Sequence, residues 1–413
     1  MFDKYPRFDM EELPRSPKLG LLSYLIALPG VISHGCRIRK YNMKNIKPPY
    51  LLICNHNAFM DIKVTFVATY PYKKNYVIAI DGYLGREQLI RNIGGICKRK
   101  FTHDLRLIDH IKYALDQGRI AVVFPEARYS LCGTTAIIPP SLARLCSYLK
   151  VPVVSLIMHG HHINSPFWNL HDRHVKGIEA ELRCIIRKDE IEDLSLEEID
   201  ERIQSVFQYD EYAWQKEKGI RVHYPKRAEG LHKVLYKCPH CLTEYQMSSK
   251  GKFLTCNHCG KSYRYMSNGE LHAVEGETEF THIPDWYEWE RSEVRKEIDN
   301  GTYHFDGEVH VMMLPNAEKY IPIGNARLIH DMDGFHLSGE FEGEKYLVEL
   351  PATQTYGVHI EYEYLGKYGD CVDLNTLDNT YYVYPHGNEF AVTKFSLATE
   401  ELFKYYAEKR ENK

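Results

Sequence analysis

Two short runs constrain this chain more than anything else in it, because each is apolar without a break and each gives way abruptly to polar groups. Leu51 to Cys54 passes into Asn55-His56-Asn57, and Ile120 to Phe124 passes into Pro125-Glu126-Ala127-Arg128-Tyr129-Ser130. A short uninterrupted apolar run suits a strand buried on both faces, and such strands belong to mostly parallel sheets covered by helices. Further strand-like runs at Tyr76–Ile80, Val151–Met158 and Glu181–Arg187 alternate with helical stretches such as Asp104–Leu115 and Ser141–Leu149. The alternation predicts α/β architecture. In such sheets ligands bind at the carboxyl ends of the strands, so the two polar breaks predict a single site.

His56 and Asp61 stand five positions apart. On one helix that spacing turns the side chains about 140° away from each other. They meet only if His56 precedes a helix and Asp61 lies in its first turns. The carboxylate then accepts from one imidazole nitrogen and fixes the tautomer, which leaves the other nitrogen to take a proton. A nearby helix N-terminus disfavours imidazolium and so favours a base at neutral pH. Cys54, in an apolar strand, reads as a small buried hydrophobe rather than a nucleophile. His159, His161 and His162 crowd too closely, and without spaced partners, for a zinc set.

These residues carry a resemblance to the glycerophospholipid acyltransferases of the 1-acylglycerol-3-phosphate type. Asn55, His56 and Asp61 match that family's Asn-His-x4-Asp block, and Phe124, Pro125, Glu126 and Ser130 match its Phe-Pro-Glu-Gly-x-Arg-Ser block. Gly94-Gly95-Ile96-Cys97-Lys98-Arg99 resembles the second block and Val151-Pro152-Val153-Val154 the fourth, all in family order over about residues 45–165. The resemblance implies His56 as general base and Asp61 as its orienter. It places Asn55, Arg99, Glu126, Arg128 and Ser130 at the acceptor. The implied reaction moves a fatty acyl group from acyl-CoA or acyl carrier protein to a lysophospholipid, lysophosphatidic acid foremost. Two positions depart from the pattern: Ala127 replaces the family's glycine, and the arginine comes one place early, as Arg128 rather than at Tyr129. Either Arg128 reaches the phosphate by a different loop path, or Arg99 with Lys98 or Lys100 supplies that charge.

Four of the eleven cysteines are paired as Cys238-Pro-His-Cys241 and Cys256-Asn-His-Cys259, on either side of a hairpin with its turn at Ser248–Gly251. Four thiolates so spaced predict a closed, structural zinc ribbon, with His240 and His258 outside the metal shell. The other seven are scattered singly, which fits a reducing compartment. The net charge of −4 hides an asymmetry: residues 275–413 carry 12 Lys and Arg against 28 Asp and Glu, so the rest is at +12. The basic part suits phosphates, coenzyme A or acidic headgroups.

Leu19 to Ile32 is apolar but falls short of the roughly 20 residues that span a bilayer. Pro29-Gly30 interrupts it, and Arg37, Arg39 and Lys40 follow, as in a core helix or an interfacial anchor. No secretory signal is visible in Met1 to Lys18. The expected order is an interfacial segment (1–44), an acyltransferase domain (45–227), a zinc ribbon (228–275) and an acidic β-rich domain (280–413). Its seven strand-like runs and final helix, Ala398–Lys409, resemble a pleckstrin-homology-like barrel. The expected protein is cytoplasmic and peripheral, on the cytoplasmic face of the membrane, with no nucleic-acid partner. Two other classes compete. A catalytically silent lipid-binding scaffold needs the fold but not His56, and a nucleic-acid-binding zinc-ribbon protein leaves the α/β part without a purpose.

Overall fold

The structure, a computed structural model, describes residues 5–139, 141–366, 368–387, 390 and 392–411. The chain forms two compact units: Asp9–Lys98 with His103–Val222, and Met1–Phe8 with Arg99–Thr102 and His223–Lys413.

In chain order the first unit contains α1 (Gly20–Ser33), β1 (Arg37–Tyr41), β2 (Tyr50–Cys54), α2 (Met60–Ala68), β3 (Lys74–Ala79), α3 (Glu87–Asn92) and β4 (Gly95–Lys98). After these come α4 (Leu105–Asp116), β5 (Ile120–Val123), α5 (Leu142–Leu149), β6 (Val153–His159), α6 (His161–Asn164), β7 (Glu179–Ile186), α7 (Leu196–Phe207) and α8 (Glu211–Glu217). The strands make one sheet in the order β1-β7-β6-β2-β5-β3-β4, and every pairing is parallel except β6 with β7. The sheet is mostly parallel, as the apolar runs require: β2 is buried at all five residues. Leu51, Ile53, Ala121 and Val153 of its central strands pack with Ile111 and Leu115 of α4, Cys146 of α5, and Ile199, Ile203 and Phe207 of α7. Each Leu, Ile, Val or Phe among them contributes about 1.5–3 kcal/mol by leaving water.

Several local signals take the form their residues dictate. Ser195 Oγ accepts from Glu198 N–H, and the Glu198 carboxylate accepts from Ser195 N–H, completing a capping box at α7. The helix α8 is capped by Asp210 through Tyr212 N–H and Ala213 N–H. β1 falls inside the stretch expected to be interfacial, yet it pairs with β7 at the sheet's edge. Among the described residues no helix is long and apolar enough to cross a membrane.

The second unit is built on antiparallel sheets. β8 (Met247–Lys250), β9 (Phe253–Cys256), β10 (Ser262–Tyr265) and β11 (Leu271–Ala273) form a small meander that carries the paired cysteines. The helix α9 (Ile283–Asp299) follows. β12 (Phe305–Met313), β13 (Ile321–Asp331), β14 (Gly334–Phe341), β15 (Glu344–Pro351), β16 (His359–Glu361), β17 (Cys371–Asn375) and β18 (Thr380–Pro385) then form a second sheet, and α10 (Val392–Glu411) closes the chain. Its order is β15-β14-β13-β12-β18-β17-β16. Among the described residues no pairing joins β15 to β16, so the strands form an antiparallel sheet in which the closure their pattern resembles is not shown. α10 packs against α9, and Arg291 of α9 reaches the buried Glu400 at 2.6 Å.

Candidate active site

β6, β2 and β5 are parallel neighbours, and their carboxyl ends deliver three groups to one place: His161, His56 and Glu126. Asn55-His56-Asn57 leaves β2 as a loop, and Asp61 lies in the first turn of α2. His56 Nδ1 and Asp61 Oδ2 are 3.0 Å apart. The same oxygen accepts from Asn57 N–H (2.6 Å) and Ala58 N–H (3.0 Å). Asp61 Oδ1 faces His161 Nδ1 at 2.5 Å. Burial by itself would raise the Asp61 pKa, but the bonds from His161 and His56 outweigh it and hold the carboxyl down at about 2. The imidazole of His56 lies between the rings of Phe124 and Tyr129, each 4.4 Å away between centroids. Its side chain is 18% exposed, and among the described residues its Nε2 has no partner. An imidazole held at Nδ1 by an ionised carboxylate, with Nε2 open to solvent, is arranged to accept a proton.

The remaining residues of the two motifs build the frame around His56. Asn55 donates from Nδ2 to Met158 O and accepts at Oδ1 from Met158 N–H, both at 2.8 Å, which ties the end of β2 to β6. Glu126 is fully buried. Its Oε1 accepts from His56 N–H at 3.0 Å, its Oε2 from Ala136 N–H at 2.7 Å, and the Tyr209 hydroxyl donates to it at 3.1 Å. Burial pushes the Glu126 carboxyl up to about 8 despite these bonds. Ser130 N–H donates to His56 O at 2.8 Å, and Ser130 Oγ donates to Thr134 O at 2.5 Å and accepts from Gly133 N–H at 3.0 Å. Ala127 has φ +54°, the left-handed region. That conformation accounts for a glycine at this position in the family pattern. Arg128 is buried and adds positive charge near Glu126, while Tyr129, where the pattern has arginine, supplies a wall of the His56 site.

The structure brings Asn55, His56, Asp61, Glu126, Arg128 and Ser130 together within the first unit. Arg99 is placed otherwise. It counts with the second unit, where its guanidinium donates to Leu314 O, Pro315 O, Asp378 O and Thr380 Oγ1 at 2.8–3.0 Å. His161 and Tyr209 were not legible as site residues, since their partners lie 83 to 100 positions away. A cavity of about 480 Å³ beside β6, β7 and α7 is lined by His159, Glu181, Arg183, Arg202 and Tyr209 among others. His56 does not line it, so the proton chemistry is not placed there.

In the second unit Cys238, Cys241, Cys256 and Cys259 converge, all four sulfurs lying within 4.8 Å of one another. Cys238 Sγ and Cys259 Sγ are 3.8 Å apart, as are Cys241 Sγ and Cys256 Sγ. A tetrahedral ion with Zn–S bonds of about 2.3 Å separates its sulfurs by about 3.8 Å, so this donor set fits zinc.

Residues 37–159 match the protein-family model described as Acyltransferase, a stretch that begins with the first residue of β1 and ends with the last of β6. Among solved structures, the chain is similar to the 1-acyl-sn-glycerophosphate (LPA) acyltransferase PlsC from Thermotoga maritima. The identity is 15% and the TM-score 0.39, over 46% of this chain and 76% of that one. No curated protein matches the chain at a significant level. The stretch from β1 to β6, which contains the His56–Asp61 pair, is an acyltransferase domain, and the protein that carries it is an acyltransferase.

Proposed function

We propose that the protein transfers a fatty acyl group from a thioester donor, acyl-CoA or acyl carrier protein, to the hydroxyl of a lysophospholipid, with lysophosphatidic acid the first acceptor to test. The observation that carries this reading is His56, bound at Nδ1 to an ionised, buried Asp61 and unpartnered at Nε2. In the reaction the acceptor oxygen attacks the thioester carbonyl while His56 Nε2 takes the hydroxyl proton. The tetrahedral intermediate collapses, the carbon–sulfur bond breaks, and the thiolate leaves with the proton returned from His56. A thiolate is a good leaving group, so no acyl-enzyme is required. Glu126 and Ser130 hold the backbone of His56 from both sides of its peptide, which keeps the base in place through this sequence.

We place the protein peripherally on the cytoplasmic face of a membrane. The support is α1, which turns Leu21, Leu22, Leu25 and Ile26 to solvent, each more than half exposed. It carries no charged residue and is followed by Arg37, Arg39 and Lys40. Such a helix buries its apolar face in the interface while the cations meet acidic headgroups. The four clustered thiolates are assigned a structural zinc, and the acidic second unit a docking role.

The test is acyl transfer by the purified full chain with labelled acyl-CoA and lysophosphatidic acid, then other lysolipids, glycerol 3-phosphate and acyl carrier protein donors. His56→Ala, with its zinc retained, should lose activity by a factor of about 100 or more. Silence across the panel would leave the lipid-binding scaffold as the better account, and an equally active variant would remove His56 as the base.

A further inference from the structure

We infer that His161 is a positioning residue of the acyl-transfer site: by donating its Nδ1–H to Asp61 Oδ1 it holds the carboxylate in the orientation and charge state that fix the His56 imidazole. The inference rests on the reading of His56 as the base. His161 stands two residues beyond the stretch that matches the family model.

The two oxygens of Asp61 are served unequally. Oδ2 receives His56 Nδ1 and two backbone N–H groups, while among the described residues His161 alone donates to Oδ1. Both side chains are fully buried. Without His161, Oδ1 would be a charged acceptor with no donor and no access to water, a costly state. The carboxylate escapes that cost by rotating or by taking a proton on Oδ1. Either change weakens its hold on His56 Nδ1 and lets the imidazole adopt the wrong tautomer or turn away.

The tautomer of His161 follows from its surroundings. Nδ1 points at a carboxylate and so carries the hydrogen. Nε2 is buried with no partner among the described residues. A buried bare lone pair costs less than a buried cationic N–H with nothing to bind. His161 is therefore a neutral donor, and its Nε2 offers no onward path for a proton. It orients the pair and does not relay through it.

The turn that aims His161 is itself built for the purpose. Gly160 has φ +89°, and a Cβ there would come within 2.8 Å of Ile178 Cγ2 and 3.0 Å of the Trp214 ring. The buried carboxylate of Glu211 accepts from Gly160 N–H at 2.7 Å and from His162 N–H at 3.2 Å, which holds the residues before and after His161.

The test uses the full-length protein, with His161→Phe, His161→Asn and His56→Ala assayed side by side. His161→Phe should lower kcat by about 10- to 100-fold while KM for both substrates stays within about threefold. The acid limb of its kcat/KM profile should move to higher pH, because an Asp61 without the His161 bond takes its proton more readily. The titratable groups facing Asp61 are Cys54 of β2, His56 of the loop, His161 and His162 of α6, and Tyr209 before α8. His161→Asn, whose amide can still donate to Oδ1, should recover much of the loss. Nitrogen NMR of the wild-type protein should show His161 with hydrogen on Nδ1 and a bare Nε2, a reading that stands even if a variant fails to fold. A His161→Phe enzyme with unchanged kcat, pH profile and His56 tautomer, beside an inactive His56→Ala, would overturn the inference and leave the base intact. So would a wild-type His161 protonated on both nitrogens. Equal activity in His56→Ala would instead overturn the reading on which the inference rests.

Discussion

Asp61 and Glu126 are both buried carboxyls within one site, and their surroundings push them in opposite directions. Asp61 is depressed from 3.8 to about 2. The folded state therefore binds its proton less tightly than the unfolded chain, and the stability it contributes is present above about pH 4. That contribution, of roughly 2 kcal/mol, is lost as pH falls from about 4 to 2. Glu126 is raised from 4.5 to about 8. Its sign is the reverse: stability is full below about pH 4.5 and declines as pH rises through 8. Urea denaturation across pH should show both flanks; Asp61→Asn should flatten the acid one and Glu126→Gln the alkaline one. Ala127 offers a separate check, since a left-handed conformation costs an L-residue about 1–2 kcal/mol and Gly gives back about 0.4–1 in chain entropy. Ala127→Gly should raise stability by about half to one kcal/mol in the same assay. At this scale His56 and Asp61 were readable because the pair is local, set by a strand end and a helix start. The framing done by Asn55, Glu126 and Ser130 was not. A sequence shows that a buried polar residue needs a partner, but not that Asn55 would find Met158 103 positions away.

The elements divide in the same manner. β2, β5 and β6 were evident because central parallel strands are apolar throughout, and α4 and α5 because their apolar residues recur on one face. β1 was missed: Arg-Ile-Arg-Lys-Tyr has no apolar pattern, and it becomes a strand only because β7 offers an edge to pair with. β4, four residues long, was legible only as the short strand of a glycine-led motif, since Gly-Ile-Cys-Lys has too little apolar pattern of its own. The capping box at Ser195 is a case where local chemistry was sufficient. Ser195→Ala should cost about 1 kcal/mol, with α7 fraying first in hydrogen exchange. The seven C-terminal strands were legible as strands, whereas closure into a barrel is a matter of which edges meet, and alternation carries no information about that.

For the whole molecule, the charge asymmetry has a measurable sign. Binding to vesicles containing acidic lipid should weaken severalfold between low and physiological salt, and more so when Arg37, Arg39 and Lys40 are neutralised. Vesicles of zwitterionic lipid should show little salt dependence. Metal analysis should return one zinc per chain, and Cys238→Ser should abolish it and lower the melting temperature, because a closed thiolate site contributes directly to folding.

The four residues Arg99–Thr102 have a consequence for how this protein can be taken apart. They follow directly on β4 of the acyltransferase domain, yet they fold with the C-terminal half, where Arg99 supplies donors to three carbonyls and a threonine hydroxyl. No single cut separates the halves. A fragment ending at residue 222 keeps a guanidinium stripped of its acceptors, and one beginning at 223 keeps four oxygens stripped of their donor. Loss of activity on truncation therefore reports a broken fold before it reports a missing function.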